Sequence, residues 1–171
     1  MKNQEMRIRK LVTAGMFVAL AVSLSAFSIP IGASRCFPVQ HMVNVLSAVF
    51  LGPFYGVAIA FCTSLIRNAM GTGTLLAFPG SMMGALCCGL VYRYTSKLLP
   101  TYAAEIAGTG ILGGILAYPV AAFFLGKDAA FFTYVIPFLV STCGGTLMAA
   151  VLIAVLYRTH ALRELQKVLQ G

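Results

Sequence analysis

Six apolar runs fill most of this chain, and they constrain its fold more than any other feature. The breaks between them carry proline, glycine or charge, which interrupt helices and mark loops. The longer runs match the roughly 20 residues that a helix needs to cross a membrane. Only 9% of the 171 residues are charged and 60% are hydrophobic, whereas soluble domains carry about 25% charged residues. The runs cover residues 11–29, 39–52, 53–67, 79–99, 103–124 and 131–157.

These runs predict an all-α integral membrane protein with six transmembrane helices in one domain, residues 1–171. Lys and Arg decide between six spans and five, because cytoplasmic loops are enriched in them. Six spans with both termini inside put nine of these residues inside and three outside, whereas one long span over 39–67 gives six and six. Gly52-Pro53 is also a turn signal within that stretch. We therefore expect six spans and cytoplasmic termini in the cell membrane.

The net charge of +8 does not indicate a nucleic-acid-binding protein. The positive residues lie at the chain ends and in loops, as membrane topology requires, and no basic stripe with interleaved aromatics occurs. Enzyme chemistry also lacks support, because no HExxH, GxSxG or paired carboxylate motif is present. The five cysteines form no CxxC or Cys–His pattern and indicate packing rather than metal binding. We expect no cofactor and no metal.

The second run opens with polar residues, Gln40, His41 and Asn44. On a helix they lie at roughly 0°, 100° and 40°, so all three share one quarter-turn arc. Polar side chains inside a membrane are costly and often mark substrate paths. The pattern therefore predicts a polar face on a water-accessible cavity at the outer side; the alternative is a cap that bonds to nearby loops.

A second polar cluster occupies residues 67–81, RNAMGTGTLLAFPGS, on the same predicted side. Arg67 and Asn68 end the third run, and the glycines that follow indicate a flexible loop before Phe78. We expect the two clusters to share one pocket. Glu105 is the one acidic residue near a span interior. At the predicted cytoplasmic start of the fifth helix, it is expected to form a structural ion pair with Arg93 or Lys97.

Small residues recur at four-residue spacing in the first run, at Gly15, Ala19 and Ser23. Such stripes let helix backbones approach closely in lipid. The stripe predicts either internal packing or a surface for a partner protein.

The sequence resembles the substrate-binding S components of energy-coupling-factor (ECF) vitamin transporters. The basic start RKLVTAGMFVAL and the turn LGPFYG carry this general likeness. A finer likeness to the ThiW family rests on three segments, and the resemblance covers nearly the whole chain. Gly15 stands where the superfamily often has alanine, which is a conservative difference. The three segments are PVQHMVNVLSAVFLGP, RNAMGTGTLLAFPGSMMGAL and EIAGTGILGG.

The resemblance implies uptake of hydroxyethylthiazole, a neutral precursor of thiamine, together with a transmembrane T component and two ATPase subunits. The first-helix stripe would then dock on the T component. The polar arc would hydrogen-bond the ligand, aromatic residues would stack on its ring, and Arg67 and Asn68 would close or order the 67–81 loop. The alternatives are an autonomous secondary transporter for another small neutral metabolite and a purely structural membrane subunit. The implied ligand-binding residues are Phe37, Gln40, His41, Asn44, Arg67, Asn68, Thr74, Phe78 and Tyr118.

Overall fold

The computed structural model describes residues 2–31, 34–126 and 130–170. Helices make up nearly all of this part of the chain, with one short hairpin. The elements are α1 (Lys2–Ser23), a 3-10 turn (Leu24–Ala26), β1 (Ile29–Ile31), β2 (Ser34–Cys36), α2 (Pro38–Phe50), α3 (Pro53–Ala69), α4 (Ala77–Thr95), α5 (Leu98–Glu105), a π-helical segment (Ile106–Gly113), α6 (Gly114–Leu125), α7 (Val135–Arg158) and α8 (Ala161–Gln170).

The predicted all-α class is confirmed for the bulk of the fold. Each of the six apolar runs corresponds to a helix, with α5, the π-helical segment and α6 joined into one helix, Leu98–Leu125. Three described helices are long and apolar enough to cross a membrane: Gln4–Ala26, Leu98–Leu125 and Val135–Arg158. The number of spans and the side on which the termini lie stay predictions. Lys127, which counts toward the charge argument, lies outside the described residues.

Gly52-Pro53 does separate two helices, as predicted. Gly52 has φ +88° and ψ 178°, a conformation that side chains with a Cβ rarely adopt. Its N–H donates to the carbonyl of Ser47 at 2.9 Å, and Pro53 opens α3, where a missing N–H costs nothing. The turn therefore ends α2 after only 13 residues.

Helix α2 is the central element of the bundle. Every residue from Val39 to Phe50 is buried, and α2 packs against α3, α4 and α7. Glycines on these neighbours allow the close approach: a Cβ at Gly145 would lie 2.6 Å from the Cβ of His41. The polar start of α2 therefore lies inside the bundle rather than at its surface.

Two features lie outside the sequence prediction. The antiparallel pair β1–β2 joins α1 to α2, with Pro30 opposite Arg35, and short α8 follows α7. Helix α8 packs near the start of α1 and the end of α2. Its Gln166 Nε2 also donates to Tyr92 Oη of α4 at 3.0 Å. We call this end of the bundle the terminal end, and the opposite end, with residues 29–31, 34–37 and 67–77, the hairpin end.

Candidate functional site

A polar cluster fills the bundle interior where α2, α4 and the long helix Leu98–Leu125 meet. Oε1 of Glu105 accepts from Asn44 Nδ2 at 3.0 Å and from Thr109 Oγ1 at 3.0 Å, and it lies 3.1 Å from His41 Nδ1. Asn44 and Glu105 are both 0% exposed. Buried polar groups are costly unless they are hydrogen-bonded, and this network satisfies most of its members.

The predicted pairing of Glu105 with Arg93 or Lys97 is wrong. Both cations are exposed, and within the described residues neither forms an ion pair. The error comes from the helix boundary: the helix begins at Leu98 rather than near residue 103. Seven residues of rise put Glu105 about 10 Å inside the helix, next to α2, rather than at its surface end.

The π-helical segment begins directly after Glu105 and carries Thr109. The widened turns redirect backbone groups, and the Glu105 carbonyl accepts a hydrogen bond from Thr142 Oγ1 of α7 at 3.4 Å. Glycines in the segment and on α4 bring the backbones together; a Cβ at Gly84 would lie 2.7 Å from Glu105 Oε2 and would overlap Thr109 Oγ1. Single π-helical turns are frequent at functional sites.

A small cavity lies above this cluster toward the hairpin end, with a volume of about 30 Å³. Gln40, His41, Arg67 and Thr74 line it together with Phe37, which confirms that the two polar clusters share one pocket. Other lining residues are Arg35, Ala77, Gly80, Ser81, Thr109, Phe138 and Ser141. The space holds one or two water molecules but no aromatic ring, so a ring-sized ligand requires side chains to move.

Arg67 and Phe37 form the roof of this cavity. Arg67 Cζ lies 3.5 Å from the centroid of the Phe37 ring, a close cation–π contact. Phe37 is fixed by its backbone N–H, which donates to Ser141 Oγ at 2.8 Å. The neighbouring Cys36 thiol donates to the carbonyl of Pro137 at 3.2 Å. The hairpin is thereby attached to the start of α7.

The loop after α3 folds back onto the end of that helix. The N–H groups of Thr72 and Gly73 both donate to the Arg67 carbonyl at 3.0 Å. Asn68 Nδ2 donates to the carbonyls of Ser64 at 2.8 Å and Thr74 at 3.1 Å. Asn68 therefore orders the loop, as predicted for it, and does not line the cavity itself.

Three further predicted site residues also lie outside the cavity lining. Asn44 sits one layer deeper, where it donates to Ser81 O and Glu105. Phe78 packs against Phe61 in a tilted arrangement, with 5.6 Å between ring centroids. Tyr118 of α6 packs against Phe131 in a tilted arrangement, with 5.1 Å between ring centroids. The expected aromatic wall is instead formed by Phe37 and Phe138.

Sequence reasoning missed Arg35, Ser81, Thr109, Phe138 and Ser141 and misassigned Glu105. Hydroxyls within apolar helices carry little signal, because serine and threonine can bond to their own helix backbone; Ser81 Oγ does so to Ala77 O at 2.8 Å. Glu105 carried the available signal, as a lone carboxylate in an apolar run.

The stripe Gly15, Ala19 and Ser23 lies on the exposed side of α1. A Cβ at Gly15 would meet no atom within 4 Å. The stripe therefore takes no part in packing among the described residues, and it faces outward from the bundle.

With this geometry in place, comparison with known proteins identifies the family. The family described as "Thiamine-precursor transporter protein (ThiW)" matches residues 11–159. The chain belongs to the ThiW family.

A curated relative is consistent with this assignment. The chain is 31% identical over 120 residues to the "Biotin transporter BioY" of Thermotoga maritima, which covers 61% of this chain and 70% of the relative. No solved structure matches the chain. The ThiW-family chain is thus a transport protein, and with its apolar helices it is a multi-pass protein of the cell membrane.

Proposed function

We propose that this ThiW-family protein is the substrate-binding S component of an ECF-type uptake system, and that its ligand is hydroxyethylthiazole. The observation that carries the proposal is the cavity at the hairpin end. Gln40 lines it, and its buried Oε1 has no hydrogen-bond partner among the described residues. A buried acceptor without a donor costs free energy, and a ligand that donates a hydrogen bond to it would remove this cost.

The chemistry of the lining suits a small heteroaromatic alcohol. Phe37 and Phe138 supply apolar ring faces, and Gln40, Thr74 and Ser141 supply neutral polar groups. A hydroxyl can donate to Gln40 Oε1, and a ring nitrogen can accept from a nearby donor. Few polar groups in an otherwise apolar pocket are the usual arrangement for such ligands. His41 is held by Glu105, so its role is to fix the floor of the pocket.

The transport partners follow from the same proposal. An S component would need a T component and two ATPases, because the sequence carries no nucleotide-binding motif of its own. The exposed stripe of α1 offers a place for such contact, since small residues allow close helix packing in lipid. The alternative of an autonomous secondary transporter predicts uptake by this chain alone.

Two measurements test the proposal. Calorimetric titration of the purified protein is expected to detect hydroxyethylthiazole and to give much weaker or no binding of thiamine and biotin. Uptake of labelled hydroxyethylthiazole, in cells that lack other routes for it, is expected only when an ECF module is co-expressed. Uptake without the module would favour a secondary transporter, and preferential binding of biotin or thiamine would reject the assigned ligand.

A further inference from the structure

Arg67 is a buried cation whose donors are incompletely used. It is 1% exposed, and its Nε and Nη2 atoms have no hydrogen-bond partner among the described residues. Its guanidinium lies over the face of the Phe37 ring, which partly stabilises the positive charge. The ring accepts no hydrogen bond in the plane of the guanidinium. Arginine presents its donors as a planar fork that matches carboxylate and phosphate oxygens.

The cavity that Arg67 lines is positively charged. Arg35 of β2, an exposed residue, also lines the cavity, and none of the described lining residues carries a carboxylate. Glu105 lies below the cavity, with Oε1 occupied by His41, Asn44 and Thr109. A buried cation with unpartnered donors, beside a small space that has no counter-ion in its lining, indicates an acceptor that arrives with the ligand.

We propose that Arg67 and Arg35 form a subsite for an anionic substituent on the bound ring. The site then binds a thiazole that carries a carboxylate or a phosphate ester more tightly than the neutral hydroxyethyl compound. This inference rests on the proposed thiazole site and specifies one end of its ligand. Phe37 and Gln40 hold the ring and its neutral groups, and the anionic oxygens accept from Arg67 Nε and Nη2.

The test compares three ligands on the purified full chain by calorimetry: hydroxyethylthiazole, its phosphate ester and a thiazole carboxylate. We expect at least one anionic ligand to bind roughly tenfold or more tighter than the alcohol, since charge-assisted hydrogen bonds are the stronger class. The carboxylate and phosphate arms identify which anion fits. The preference is expected to weaken at high salt less than a surface ion pair would, because Arg67 is buried.

Variants assign the preference to the arginines. Arg67→Met is expected to remove it, and Arg35→Met, on the exposed hairpin strand, is expected to reduce it while the protein still folds. Arg93→Met is the matched control, because Arg93 is exposed and absent from the cavity lining. A melting curve for each variant verifies folding, and Arg35→Met keeps the test decisive if Arg67→Met does not fold.

The outcomes separate this inference from the proposed function. Equal or tighter binding of the neutral alcohol overturns the anionic subsite and leaves the thiazole site in place. A preference that persists in both arginine variants also overturns it. Failure of all three thiazoles to bind rejects the proposed function and the subsite together.

Discussion

At the scale of single residues, Gln40 and Asn44 share one helix face but differ in their surroundings. Gln40 lines the cavity with a free acceptor, whereas Asn44 is fully enclosed and joins α2 to α4 and to Glu105. The link between the two side chains is weak, with 3.5 Å between Gln40 Nε2 and Asn44 Oδ1. The structure thus assigns the ligand-facing role to one amide and a supporting role to the other.

The two amides are therefore expected to respond differently to substitution. Gln40→Leu should leave the melting temperature nearly unchanged and weaken hydroxyethylthiazole binding by roughly 5- to 150-fold, the effect of an unpaired polar group worth about 1–3 kcal/mol. Asn44→Leu should lower the free energy of unfolding by about 1–3 kcal/mol, because Glu105 loses a donor in a buried site. Calorimetry beside a melting curve measures both. Equal loss of stability in the two variants would contradict the division of roles.

Gly84 is expected to be intolerant of any side chain. Gly84→Ala would place a Cβ against Glu105 and Thr109, and overpacking of this kind costs about 1–3 kcal/mol. Gly15→Ala is the matched control, since its Cβ meets no atom within 4 Å. Thermal unfolding in detergent should separate the two by several degrees. A stable Gly84→Ala protein would mean that the long helix can move away from α4 at this point.

At the scale of elements, periodicity and breaks predict helices well and their contacts poorly. The Gly52-Pro53 turn and the polar arc on α2 follow from local rules, and both are found. The hairpin strands, Ile29–Ile31 and Ser34–Cys36, have too few residues for a periodic signal. The partner of Glu105 was mispredicted because the helix starts about five residues before the predicted position. Phe78 and Tyr118 pack beside other aromatic residues, and no local sequence rule predicts these pairs.

Helix α1 provides the test of the docking stripe. Gly15→Leu should leave ligand affinity and melting temperature unchanged, because the added side chain points away from the bundle. It should reduce module-dependent uptake strongly, since a bulky residue holds the first helix away from its partner. Gly15→Ala should transport almost normally. Normal uptake by Gly15→Leu would assign the stripe to lipid.

The hairpin makes Cys36 a poor reporter of topology, contrary to what its loop position suggests. The thiol is 1% exposed and donates to Pro137 O, and burial raises the pKa of the Cys36 thiol. Both effects lower the fraction of reactive thiolate. We expect a hydrophilic maleimide to label Cys36 only after unfolding. Rapid labelling of the folded protein would show that the hairpin opens readily.

At the scale of the whole molecule, the six-span prediction with cytoplasmic termini is tested by accessibility. Met70 is 61% exposed at the hairpin end, and exposed His160 lies at the terminal end. Met70→Cys should react with a membrane-impermeant thiol reagent in intact cells, relative to the parent chain. His160→Cys should react only after permeabilisation. The reverse pattern would invert the orientation, and labelling of both from outside would reject the three spans predicted between residues 70 and 160.

The brevity of α2 has a consequence for how the protein is made. A helix of 13 residues is about 20 Å long, against roughly 30 Å of hydrocarbon, and it begins with an amide, an imidazole and a second amide. Released alone from the insertion machinery, it would have no favourable depth in lipid. It becomes stable only when α4 and α7 enclose it, and α7 is synthesised last of the three. Biogenesis and formation of the binding site are therefore one event, so a nascent chain that stops before α7 should be a substrate for membrane quality control.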